Sequence, residues 1–374
     1  MRTTRLMRAF ASAAALALAV AACGSNDTGK SGSGNSSGSN SKSSGGSAPV
    51  TISGAGSTFA APVYQEWGSK LKEQGLTLNY QAVGSGAGVA ALQQGTVQFA
   101  GSDPSLADAD KAGLKKGDPL QVPMFFGAIT ISYNLSGVKT GLKLDGATAA
   151  KIFSKQITKW NDPAIAKLNP GVKLPSSNIT VVHRSDSSGT TAGFTGFLQS
   201  YSPAWKSGPG SDKEIKWPTG TGAKGNDGVA AAIKQTSGGV GYVEQAYALQ
   251  NNFTFADVKN KAGSFVAPTL DSTSVAGDGL TVPPDLGIST IDSANAKAYP
   301  IVSQTFIDTY KDPCKAGMSK GVAAGLKKFI SYGLSDGQST AQQLMCAPLP
   351  DAIKTKAQQA LDGMQCNGAA ISGS

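Results

Sequence analysis

Short runs of apolar residues, each broken by a glycine-rich stretch and followed by a helix-period pattern, recur along the chain. Val50 to Ile52 is strand-like, and Gly54-Ala55-Gly56-Ser57-Thr58-Phe59 follows it. Phe59, Val63, Trp67 and Leu71 then recur at every fourth position, which predicts one apolar helix face. Leu76 to Val83 predicts a second strand, Gly84-Ser85-Gly86-Ala87-Gly88 a second break, and Val89-Ala90-Ala91-Leu92 the helix beyond it. Val97 to Ala100 reads as a strand that ends at Gly101-Ser102-Asp103-Pro104. Ile179 to Val182 is a β-branched strand, and Arg184-Ser185-Asp186-Ser187-Ser188-Gly189-Thr190 separates it from Phe194, Phe197, Leu198 and Tyr201, again one helix face. Strands alternating with helices predict an α/β fold.

These junctions place particular residues at helix N-termini. Thr58 and Phe59, Ser85, and then Ser188, Gly189 and Thr190 all fall where backbone N–H groups lack intrahelical partners and the helix dipole is positive, an environment that favours anions. The hydroxyls among them can cap the helix or hold a ligand. An acid at a strand end, as at Asp103, is ordinarily a turn or capping residue. The second junction is GxGxxG-like, but its third glycine is missing at the required spacing and no acid closes a following strand, so a dinucleotide fold is not predicted.

The chain opens with Arg2, Arg5 and Arg8, an apolar stretch from Ala9 to Ala22, and then Cys23. This predicts a signal peptide over residues 1–22, with an apolar segment too short to remain as a span. Small residues before Cys23 predict lipidation of that thiol; the other reading is an ordinary secretory signal with a chance cysteine. Residues 23–48 are rich in Gly and Ser and predict a flexible tether reaching ~25–30 Å. The remaining body, from about Pro49, is long enough for two lobes.

Composition narrows the chemistry. The chain carries 33 Lys+Arg against 24 Asp+Glu, a formal charge of +9, and the signal accounts for three of the positive charges. The balance favours anionic partners, but no basic stripe interleaved with aromatics points to nucleic acid. Beyond the signal, the only arginine is Arg184 and the only histidine is His183. An arginine kept where lysine supplies all other positive charge is expected where a planar fork is needed, to grip an oxyanion or to make a structural ion pair. Strand alternation turns His183 away from whatever Arg184 faces, so a Ser-His-Asp hydrolase is not predicted. Cys314, Cys346 and Cys366 form no CxxC pair, so no metal site is expected; in an oxidising compartment they predict one disulfide and one spare thiol, with the pairing left open by their spacing.

The segments GAGSTFAAPVYQEW (54–67), YQAVGSGAGV (80–89), FAGSDPSL (99–106), KQITKWNDPAIAKLNPGVKLP (155–175), VVHRSDSSGT (181–190), KWPTGTGAKGNDGVAA (216–231), GYVEQAYALQNN (241–252) and APLP (347–350) occur in order and resemble the substrate-binding protein of the phosphate-specific ABC transporter. The resemblance runs from about residue 50 to 360. It implies an α/β, two-lobed periplasmic-binding-protein type II fold with two crossover hinge strands, lobe 1 taking 49–134 and 298–374 and lobe 2 taking 135–297. It implies a monomeric, non-enzymatic protein, lipid-anchored outside the cell membrane, that binds inorganic phosphate and delivers it to membrane permease subunits. The site it implies comprises Thr58, Phe59 through its backbone, Ser85, Asp103 as acceptor of the ion's proton, Arg184, Ser188, Gly189 and Thr190, with Asp186 orienting Arg184. The second loop departs from the family in lacking a second hydroxyl. The position of Cys346 is often aromatic in that family, which makes Cys346 the odd thiol and implies a Cys314–Cys366 disulfide. Alternatives are a binding protein for sulfate or molybdate, and a secreted phosphatase, which would need a metal cluster or an activated nucleophile.

Overall fold

The computed structural model describes residues 49–371. The signal peptide, the tether and Cys23 lie outside the described residues. One eleven-stranded mixed sheet organises the body. Its strands are β1 (Val50–Gly56), β2 (Leu76–Ala82), β3 (Phe99–Ser102), β4 (Pro119–Tyr133), β5 (Leu142–Leu144), β6 (Thr180–Arg184), β7 (Thr221–Ala223), β8 (Gly239–Glu244), β9 (Thr254–Lys259), β10 (Phe265–Val266) and β11 (Val302–Tyr310). The main path runs β2-β1-β3-β11-β4-β8-β6-β7, with β9 joined to β4, β5 and β10.

The order defines two lobes. Parallel pairs β1–β2 and β1–β3 build one half, and β6–β8 and β6–β7 build the other. Two long strands tie them together. The fifteen-residue β4 pairs antiparallel with β11 along 119–128 and with β8 along 129–133, so one strand belongs to both halves. β11 pairs with β3 and with β4. The chain leaves the first half along β4 and returns into it through β11. Both strands are almost wholly buried, as expected of strands covered on both faces.

Each half has an aromatic core. In the first, the helix Ala61–Lys72 buries Val63, Tyr64, Trp67 and Leu71, and Trp67 meets Phe125 and Phe329 edge-on. Trp67 Nε1 donates to the Gly337 carbonyl at 2.8 Å, so the indole is buried with its polar atom satisfied. In the second, the helix Gly189–Tyr201 buries Phe194, Phe197 and Leu198, and Phe194 stacks on Tyr242 at 4.4 Å. Cys314 and Cys366 form a disulfide with Cα atoms 4.8 Å apart, and Cys346 is a buried free thiol. Among the described residues no helix is long and apolar enough to cross a membrane.

Candidate functional site

One of the predicted junctions shifts slightly. Gly54 and Gly56 are strand residues that extend β1, and the helix begins at Ala61, with Thr58 and Phe59 in the turn before it. Ser57 makes this turn, its Oγ accepting from Ala60 N at 3.0 Å. Gly56 has φ +137°, and a side chain there would run into the Gly101 backbone, so β1 and β3 meet this closely only because Gly56 has no Cβ. The other two junctions lie as expected: one helix starts at Ser85, and Ser188 caps another, its Oγ accepting from Thr191 N at 3.1 Å.

The tips of both halves meet. Asp103, just past β3, is 1% exposed. Its Oδ1 accepts from Ser57 Oγ and, at 3.3 Å, from Thr305 Oγ1. Its Oδ2 accepts from Ser85 Oγ at 3.4 Å. From the opposite half, Gly189 N donates to the same Ser85 Oγ at 3.2 Å. A Cβ on Gly189 would strike the Asp103 carboxylate and the Ser85 hydroxyl, so this helix start must be glycine for the halves to come together. Burial pushes the Asp103 carboxyl up to about 6, against the opposing pull of Ser57, Arg184, Thr305 and Ser85.

Arg184 ends β6, is buried, and is committed along one edge. Nε donates to Asp186 Oδ1 at 2.7 Å and an Nη donates to Asp186 Oδ2 at 2.5 Å. The expected bidentate grip is thus made on Asp186, because the side-on edge of the guanidinium matches a carboxylate two residues away. Three N–H groups remain, and Nη1 lies 3.3 Å from Thr190 Oγ1. Burial works to raise the Asp186 carboxyl, but the hydrogen bonds and charge of Arg184 hold it below the ordinary carboxylate range. His183 points the other way: half-buried, it stacks on Trp217 at 4.7 Å, and its Nδ1 is 2.9 Å from the Arg184 carbonyl.

Thr58 and Thr190 come from different halves and are linked by a residue that sequence reasoning did not single out. Asn226 Nδ2 donates to Thr58 Oγ1 at 2.8 Å and to Thr190 Oγ1 at 3.2 Å. Tyr247 OH donates to the Thr58 carbonyl at 2.6 Å. Phe59 is buried with its ring against Gly127, which leaves its backbone to face the site. Among the described residues the backbone N–H groups of Thr58, Phe59 and Thr190 have no protein acceptor. Ser57, Thr305 and Asn226 were missed; Ser57 and Asn226 do lie in the quoted segments 54–67 and 216–231, but nothing local to either residue marks it out. An ion pair also joins the halves, with Lys213 Nζ 2.7 Å from Asp110 Oδ2, while the Lys213 carbonyl accepts from Ser188 N at 2.9 Å.

The result is a buried and strongly polar cluster at the seam of two lobes, with hydroxyls and helix-start N–H groups beside the Asp103 carboxylate and one guanidinium held by Asp186. That is the architecture of a two-lobed, substrate-enclosing binding protein. Residues 41–337 match the PBP superfamily domain. Over 313 residues the chain is 40% identical to the phosphate-binding protein PstS of Pasteurella multocida, covering 82% of this chain and 89% of that one. It is 36% identical over 327 residues to the phosphate-binding protein PstS 3 of Mycobacterium tuberculosis, covering 84% and 86%. A high-affinity periplasmic phosphate-binding protein solved with phosphate shares the fold, with a TM-score of 0.66 at 24% identity over 83% of this chain and 93% of that one. The chain belongs to the PstS family of phosphate-binding proteins.

Proposed function

We propose that this protein captures inorganic phosphate with high affinity outside the cytoplasmic membrane and hands it, chemically unchanged, to the permease subunits of an ABC importer. The observation that carries this reading is the donor–acceptor balance of the seam. Arg184, the Thr58, Ser188 and Thr190 hydroxyls and the Thr58, Phe59 and Thr190 N–H groups are donors for anionic oxygens, and Asp103 is the carboxylate facing them; Ser85 Oγ and the Gly189 N–H, which here bond to Asp103 and to Ser85, join them by exchanging those contacts for the ion. A tetrahedral oxyanion that still bears a proton satisfies both sides. Sulfate, fully ionised, would leave the Asp103 carboxylate against an oxygen lone pair. Asp186 holds the guanidinium in place through its side-on edge. The only base the hydroxyls of Ser57, Ser85 and Thr305 meet is the carboxylate assigned to the ion's proton, and the only histidine beyond the signal is stacked on Trp217, which supports binding rather than a phosphatase.

The rest of the reading follows from the chain's organisation. Lobe 1 takes residues 49–134 and 298–374, lobe 2 takes 135–297, and the lobes close on the ion about β4 and β11. Cys23 carries the lipid, residues 24–48 tether the body, and the protein works as a monomer. The test is calorimetry on phosphate-stripped protein with phosphate, sulfate and a phosphate monoester. Tight, stoichiometric phosphate binding with no response to the other two is expected; equal binding of sulfate overturns the assignment of the ion.

A further inference from the structure

A threonine hydroxyl has one proton and two lone pairs, so it can donate to a ligand or accept from it. Which it does depends on what else occupies its oxygen. Thr58 Oγ1 receives two donors, Asn226 Nδ2 at 2.8 Å and Asn226 N at 3.2 Å. Thr190 Oγ1 likewise receives two, Arg184 Nη1 at 3.3 Å and Asn226 Nδ2 at 3.2 Å. With both lone pairs filled, each hydroxyl has only its proton left to offer. The amide cannot flip and reverse this arrangement, because Asn226 Oδ1 accepts from Glu244 N at 2.9 Å, and β8 fixes the position of that N–H. Asn226 is fully buried, so water does not compete for these bonds.

We propose that Asn226 is a positioning residue for the ion: its amide fills the acceptor sites of Thr58 and Thr190 across the seam and turns both hydroxyls into obligate donors, making this side of the site specific for unprotonated oxygens. The inference rests on the phosphate-binding reading and adds a residue to it. Asp103 then remains the place where the ion's proton is received, and the two threonines reject a second one. The same amide bridges the halves, so the donors become aligned as the lobes meet.

The test is a cycle of variants read by phosphate calorimetry. Asn226→Ala should weaken phosphate binding about 30-fold, the scale of two misdirected charge-assisted hydrogen bonds. In a Thr58→Val, Thr190→Val background the same substitution should cost no more than about 3-fold, because there are no hydroxyls left to orient. The Glu244 N–H loses its acceptor in both backgrounds, whereas the two threonine contacts are lost only in the threonine one, so Tm should fall further there; a purely structural role acting through the Glu244 contact would still cost affinity in the valine background. A full 30-fold loss in the valine background, or no loss in the threonine one, overturns the inference. If wild type binds phosphate and Asn226→Ala binds equally well, only this inference fails; if wild type binds none, the functional reading fails with it. Should Asn226→Ala not fold, the wild-type complex decides by NMR: the Thr58 and Thr190 hydroxyl protons should show through-hydrogen-bond coupling to the phosphorus of bound phosphate, and slowly exchanging hydroxyl protons with no such coupling refute the proposal.

Discussion

Replacing Asp103 by Asn tests how the site tells one tetrahedral anion from another. The carboxylate is almost fully buried, accepts three hydroxyls and sits across the seam from Gly189. Facing hydrogen phosphate it gains a charge-assisted hydrogen bond; facing sulfate it meets a second negative charge with no proton between. Together these are worth roughly 2–5 kcal/mol, or 30- to several-thousand-fold in relative affinity. An amide can turn its NH₂ toward either ion, so Asp103→Asn should lower phosphate affinity by about 10-fold, raise sulfate affinity, and reduce the ratio between them by about 100-fold or more. Wild type should imitate the variant in acid. With its carboxyl raised to about 6, Asp103 becomes a donor as the pH falls below that value. The pKa is raised in the folded state, so the stabilising contribution of this group in the ion-free protein is complete below the ordinary carboxylate range and is lost as pH rises through about 6. The assay is competition of labelled phosphate by excess sulfate across pH 4.5–8 (~0.5-unit steps), with Tm of the ion-free protein measured alongside. Sulfate should compete measurably only at the acid end in wild type and throughout the range in Asp103→Asn. If the variant excludes sulfate as well as wild type does at pH 7, Asp103 is not the filter.

The other expectations concern affinity, motion and anchoring. Arg184→Ala should weaken phosphate binding by roughly 2–5 kcal/mol, and Arg184→Lys should recover only part of the loss because a lysine lacks the planar fork that holds Asp186 side-on while other N–H groups face the ion; near-normal calorimetric affinity in the Ala variant would remove Arg184 from the site. Lys213→Ala deletes a partly exposed ion pair between the halves, worth at most about 1 kcal/mol, so stopped-flow release of phosphate should quicken by about five-fold or less with unchanged selectivity, and an unchanged rate would mean the pair does not restrain opening. Small-angle scattering should show a more compact body with phosphate than without, and identical profiles at saturation would argue against lobe closure. Cys23→Ser should shift the protein out of the detergent-extractable membrane fraction; retention there would refute lipid anchoring.

The recurrence of strand, glycine-rich break and helix was legible along the chain because its determinants are local. A β-branched run such as Ile179–Val182 and a four-residue apolar period such as Phe59, Val63, Trp67 and Leu71 need only their neighbours to be read. The scarcity of arginine drew attention to Arg184 for the same reason, and strand alternation set His183 to the opposite side. What the chain order could not supply was partnership. Scarcity alone left Arg184 between an oxyanion and an ion pair; the structure shows its side-on edge closing on Asp186, a geometry set by the turn after β6. Ser57 and Thr305 reach Asp103 from 46 and 202 residues away, and Asn226 reaches Thr58 from 168 away. A buried side chain's hydrogen-bond partner depends on the packing of elements distant in sequence, and no local pattern encodes it. Residue types and periods therefore determine the elements and most of the donors they present, while the tertiary structure alone decides which hydroxyl gives its proton and which receives one, because that is settled by the second and third neighbours each oxygen meets once the two halves close.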